Sequence, residues 1–127
     1  MNQHQNYHFG ILYLMHLLIS ADGFVDDHES KMLSKVKAYE KIPEDTLIAF
    51  EKSILGKKER EIYQHGIDYL NQCGDEEKIN AFVHLYKMSE ADGRVHVKEV
   101  RLLLYSVRMA GIEFNDVVAR AGQIRYH

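Results

Sequence analysis

The sequence predicts an all-helical single domain of about seven helices, and three observations carry that prediction. Apolar residues recur at spacings of three and four with no sustained alternation, which is the period of a helix and not of a strand. One Pro and eight Gly divide 127 residues into stretches of helix length. Two stretches, Ala21 to Glu29 (ADGFVDDHE) and Ala91 to Glu99 (ADGRVHVKE), match as Ala-Asp-Gly-x-Val-x-x-x-Glu at a constant offset of seventy (92 − 22 and 99 − 29), which marks an internal repeat. A chain of this length builds one sizeable core and not two. Residues 1–127 are therefore expected to form one domain with an internal pseudo-twofold repeat, its units at about 7–55 and 75–124 and a linker helix at about 58–73.

The first helix is expected from about Tyr7 to Ser20, with Phe9, Leu12, Tyr13, Leu17 and Ser20 on one stripe and Ile11, Leu14 and Leu18 on another. Apolar on most sides, it should be the central and most buried helix. After the first Asp-Gly, Asp26 is placed to cap a second helix and Glu29 completes a capping box, with Met32, Leu33 and Val36 as the core face. Pro43 suits the first position of a third helix, and Glu44 and Asp45 suit its positive end. Leu47, Ile48, Ile54 and Leu55 carry its apolar side as far as Gly56.

Lys57, Lys58, Glu59 and Arg60 read as a solvated connection into a fourth helix with Ile62, Ile67, Tyr69 and Leu70, ended by Cys73 and Gly74. Asp75, Glu76 and Glu77 open a fifth helix that continues through Ile79, Phe82, Val83 and Tyr86 to Ala91. A sixth helix with Val100, Leu103, Leu104 and Val107 closes at Gly111, the position of a C-cap glycine. The last helix, from about Glu113, carries Phe114, Val117, Val118, Ala121 and Ile124. Helices one and two thus correspond to five and six, and the third and seventh follow each pair.

Composition narrows the function classes. Hydrophobic residues at 46% and charged residues at 28% are those of a globular protein. With 16 basic against 19 acidic residues the net charge is −3, so no general positive field draws nucleic acid or an anionic membrane. The longest apolar run, Ile11 to Ile19, is broken by His16 and falls well short of the roughly 20 residues needed to span a bilayer. It also lacks a basic leader, so it does not read as a signal peptide. A lone Cys73 permits no intramolecular disulfide and fits a reducing compartment, which makes the cytoplasm the expected location. There is no phosphate-binding glycine loop, no Gly-x-Ser-x-Gly and no His-Glu-x-x-His, so a non-enzymatic role is expected.

Eight His residues invite a zinc reading. His4 and His8 share a helical face, yet no Cys or third His is near them in sequence, which leaves them short of a ligand set. His16 and His84 fall inside apolar helices and are expected to be hydrogen-bonded core or boundary residues. His28 and His96 flank the repeated turns and could tune them by protonation, although a surface position is the simpler account. Cys73 has no base beside it in sequence to lower its pKa. Tyr63 and Tyr69 read as core or boundary rings.

The repeated turn carries the chemistry that is left. Asp22-Gly23 followed by Glu29, and Asp92-Gly93 followed by Glu99, have the spacing of the second half of a calcium-binding EF-hand loop, with Val25 and Val95 at the apolar position. The first half departs from that pattern: Leu18 and Met88 stand where the opening acid belongs, and Ser20 and Glu90 at the third position. Two such half-sites facing each other would offer Asp22, Glu29, Asp92 and Glu99 to one hard cation, calcium or magnesium before zinc. Without a cation, each close pair of like charges would cost on the order of 4 kcal/mol at about 4 Å in an effective dielectric near 20. The alternative is that Asp-Gly makes a turn and Glu caps a helix with no ligand at all.

These two motifs, in a helical chain of this length, resemble the TerB-type tellurite-resistance family. The resemblance implies a seven-helix fold with internal pseudo-symmetry, an acidic cluster for a divalent metal, and a link to tellurite and stress responses; a protein partner of unknown identity is expected in addition. Its matching acidic positions are Asp22, Glu29, Asp92 and Glu99. Asp26 and Asp27 in the first copy are His96 and Val97 in the second, so the half-sites would differ chemically.

Overall fold

The computed structural model describes residues 3–20, 27–89 and 97–124, with side chains at 5–19, 31–88 and 101–124. Every regular element among them is an α-helix: α1 (Gln3–Ser20), α2 (Asp27–Glu40), α3 (Glu44–Ser53), α4 (Glu59–Asn71), α5 (Asp75–Ser89), α6 (Val97–Met109) and α7 (Phe114–Ala121). The fold is all-α, as the apolar spacing predicts. No helix among the described residues is long and apolar enough to cross a membrane.

The first helix is the centre of the molecule. Its apolar side chains from Tyr7 to Ile19 are buried on both predicted stripes and between them, and it packs against α2, α3, α4, α5 and α6. It starts earlier than the sequence suggests, because Asn6 does not fray: its amide is buried and donates to Gln72 Oε1 at the end of α4, 3.2 Å away. The closest packing is between α1 and α4. A Cβ placed on Gly10 would lie 2.6 Å from Cγ and Cδ2 of the buried Leu70, and one on Gly66 would lie 3.1 Å from Tyr13 Cβ and 3.0 Å from Leu14 Cδ2. The two glycines let the helix surfaces meet where any larger side chain would hold them apart.

Tyr13 then fastens α3 and α4 to α1. Its ring stacks on Tyr69, meets Phe50 edge-on at a centroid distance of 5.4 Å, and its hydroxyl lies 2.7 Å from Ser53 Oγ. Ser53 Oγ donates in turn to the Phe50 carbonyl, so the Tyr13 hydroxyl is the donor of the pair.

The second buried helix is α5, with Ala81, Phe82, Val83, Leu85 and Met88 in the core. It packs on α6 and α7 as α1 packs on α2 and α3, and α2 reaches across to α5 as α6 reaches across to α1. Arg120 ties α7 down by bonding Glu76 Oε2 at 2.6 Å and Asn80 Oδ1 at 2.9 Å.

Several predicted details are corrected. Pro43, with ψ 150°, precedes α3 as its N-cap and is not its first helical residue. Helix α3 ends at Ser53, where Lys57 Nζ bonds the Ser53 carbonyl and Gly56, at φ +76°, turns the chain. Leu55 therefore lies outside the helix and is 77% exposed. Ile48, Leu104 and Val118 are exposed as well, because each follows a core-facing neighbour and sits about 100° further round its helix. Gly111 closes α6 at φ +74°, as its position predicts. Lys58, Glu59 and Arg60 are solvent-exposed, in keeping with a wet connection.

Candidate functional site

The two Ala-Asp-Gly stretches connect α1 to α2 and α5 to α6. Asp22 and Asp92 lie outside the described residues, as do the side chains of Glu29 and Glu99 and the proposed cap Asp26. The backbone of both glutamates is described. Glu29 is the third residue of α2 and Glu99 the third residue of α6, so each closing Glu stands in the first turn of the helix after its Asp-Gly. His28 and His96 also fall outside the described side chains. Among the described residues, no three His, Cys, Asp or Glu side chains converge to hold a metal.

What the structure does bring together is a buried polar junction of α1, α2 and α5. Tyr7 and His8 at the start of α1 share an open hollow with Glu40 and Lys41 at the end of α2 and with Glu77 and Asn80 in α5. The last turn of α2 thus meets both α1 and α5, which also pack on each other. At the bottom of the hollow Glu40 Oε2 accepts a hydrogen bond from the Tyr7 hydroxyl at 2.5 Å and lies 2.6 Å from His84 Nε2. The His84 side chain is 0% exposed, and the Tyr39 ring closes on its face edge-on, 5.4 Å between centroids. Lys41 follows at φ +53°, a left-handed backbone that turns the chain so that Ile42 can re-enter the core.

The electrostatics follow from that geometry. Burial pushes the Glu40 carboxyl up, but the hydrogen bonds from His84 and Tyr7, with the electrostatic pull of His84 and His8, outweigh it and hold Glu40 below the ordinary carboxyl value. Burial, reinforced by the charge of Glu40, pushes the Tyr7 hydroxyl far above its usual range. An ionised Glu40 fixes both neighbours as donors to one oxygen.

The other residues of interest have structural roles. His84 is a hydrogen-bonded core histidine, as expected. His16 is half-buried, edge-on to Phe50, and burial lowers its pKa against the opposing pull of Glu59. It lines a cleft of about 100 Å³ with Leu12, Leu33 and Phe50, well short of the roughly 300 Å³ at which ligand pockets begin. His8 is buried against the Tyr7 ring, whereas the His4 side chain lies outside the described residues. Cys73 is buried and its thiol points at the Tyr69 carbonyl, 3.6 Å away. Burial and the charge of Glu77 push that thiol up to about 11, which suppresses the thiolate. Tyr63 and Tyr69 are boundary rings.

Of the residues of this junction the sequence singles out His8 and His84, but not Tyr7 or Glu40. The one trace of Glu40 is its place at the negative end of a helix, where an acid is disfavoured unless something holds it. Compared with known proteins, the chain matches no family model, no curated protein and no solved structure.

Proposed function

We propose that the chain is a non-enzymatic, TerB-like cytoplasmic domain. In this reading Asp22, Glu29, Asp92 and Glu99 share one calcium or magnesium ion, and the domain serves a tellurite or stress response beside a protein partner. The observation that carries the reading is the placement of the repeat. Each motif links corresponding helices, each Glu is the third residue of the helix that follows, and α1 and α5, whose C-terminal ends lead into the two motifs, pack on each other. Four carboxylates are hard oxygen donors, which suit calcium and magnesium and suit zinc poorly. The ion would supply charge neutralisation between the two turns and no reaction step.

The test is thermal unfolding with calcium, magnesium or zinc added to metal-free protein. An ion at 100 times its dissociation constant adds about 2.7 kcal/mol of stability. The reading expects that gain with calcium or magnesium and its loss in Asp92→Asn. No rise in melting temperature with any of the three rejects it.

A second reading, a metal-free interaction module whose turns only cap helices, is favoured by the outer face of α6. Tyr105 is 55% and Met109 50% exposed, one helical turn apart, and apolar side chains so placed are the material of a partner interface. Under that reading Tyr105→Ala abolishes partner capture and metal has no effect on stability.

A further inference from the structure

We propose that Tyr7, Glu40 and His84 form an acid-sensitive clamp: with Glu40 ionised, α2 is held onto α1 and α5, and with Glu40 protonated α2 is released while α1, α4, α5 and α7 stay packed. The inference is independent of any bound cation.

The geometry supplies both halves of the argument. Both bonds converge on one atom, Glu40 Oε2, from two different helices, α1 and α5. A proton on the carboxyl removes the charge that strengthens both bonds, and a proton on Oε2 itself would turn a donor toward two donors. Among the described residues α2 has few apolar anchors, with Leu33 half-buried beside Leu12 and Phe50. Of its described side chains only Met32 and Val36 are buried, whereas α1 is buried almost throughout and seated on α4, and α5 is seated on α7. Elements with few buried apolar contacts open below the cost of global unfolding.

Among the described residues, the titratable and charged groups that face Glu40 are Tyr7 and His8 from α1, Tyr39 and Lys41 from its own end of α2, and Glu77 and His84 from α5. His8 and His84 favour the ionised carboxylate. Since the folded carboxyl sits below its ordinary value of 4.5, the clamp is complete above that pH and is lost as pH falls through and below it.

Amide hydrogen exchange of the full chain in metal-free buffer, from pH 7 down to about pH 3 and corrected for intrinsic rates, tests the clamp. The expected result is that amides of α2 gain exchange about ten-fold or more on acidification before those of α1 and α4 do. In Glu40→Gln, α2 should exchange faster already at pH 7 and show little further acid dependence. Tyr7→Phe removes one donor and keeps the ring, so its release should move to higher pH. Exchange of α2 in step with α1 and α4 at every pH, or wild-type acid dependence in both variants, overturns the proposal.

Discussion

Glu40 and His84 stand 44 positions apart in sequence and meet at 2.6 Å, carboxylate oxygen to ring Nε2, with the imidazole fully buried. The pair fastens the end of α2 to the middle of α5. Seventy positions on from Glu40 is Ala110, just beyond α6, and there the Ala110 carbonyl receives Lys78 Nζ at 3.2 Å from the start of α5. The same place in each half is thus secured by different chemistry. One half places a carboxylate at the unfavourable end of a helix and surrounds it with donors, and the other brings a cation to a terminal carbonyl, where the helix dipole favours it.

Replacing the carboxylate should therefore be costly at neutral pH. Hydrogen bonds to charged groups contribute about 1.5–3 kcal/mol, and Glu40→Gln should lower the urea-unfolding free energy at pH 7 by about that much. Because the folded carboxyl is depressed, the wild type should lose stability as pH falls through 4.5, and the variant should lose less over the same range. Parallel acid profiles for the two proteins would contradict the assignment.

Gly10→Ala should destabilise the protein even though alanine is the better helix former. The gain in propensity is about 1 kcal/mol, but the new Cβ would stand 2.6 Å from a buried Leu70, and overpacking of this kind costs about 1–3 kcal/mol, occasionally more. Gly122, exposed at φ −69° and with a Cβ in ordinary contact 3.5 Å from the Ala119 carbonyl, is the control, and Gly122→Ala should change the urea midpoint little. Equal effects at the two sites would refute the close approach of α1 and α4.

Cys73 should be inert in the folded protein. Its buried thiol is pushed up to about 11, so at pH 8 the thiolate is scarce. A disulfide reagent should react at the rate of unfolding and speed up sharply in denaturant. Reaction at the rate of a free thiol under native conditions would show that the α4–α5 corner is open.

How far the sequence anticipates this fold depends on what each residue must know. The helices, the centrality of α1 and the glycine stop at Gly111 follow from local pattern, because apolarity on most sides and a left-handed C-cap need no partner to be recognised. The doublets Leu47-Ile48, Leu103-Leu104 and Val117-Val118 are harder. In each the first residue faces the core and the second is exposed, a choice set by the rotation of the helix against its neighbours. Gly10 and Gly66, and Glu40 with His84, depend on the register between distant helices, which no single-helix pattern encodes. The acidic turns are legible as a repeat; that Asp22, Glu29, Asp92 and Glu99 act together is a statement about tertiary distance.

A calorimetric titration of metal-free protein with calcium, repeated with magnesium, tests that statement most directly. A shared site predicts one ion per chain, and predicts that Asp22→Asn and Asp92→Asn each abolish the same binding event, since neither half-site suffices alone. Two independent ions per chain, loss of only half the binding in each variant, or no binding by the wild type would contradict it.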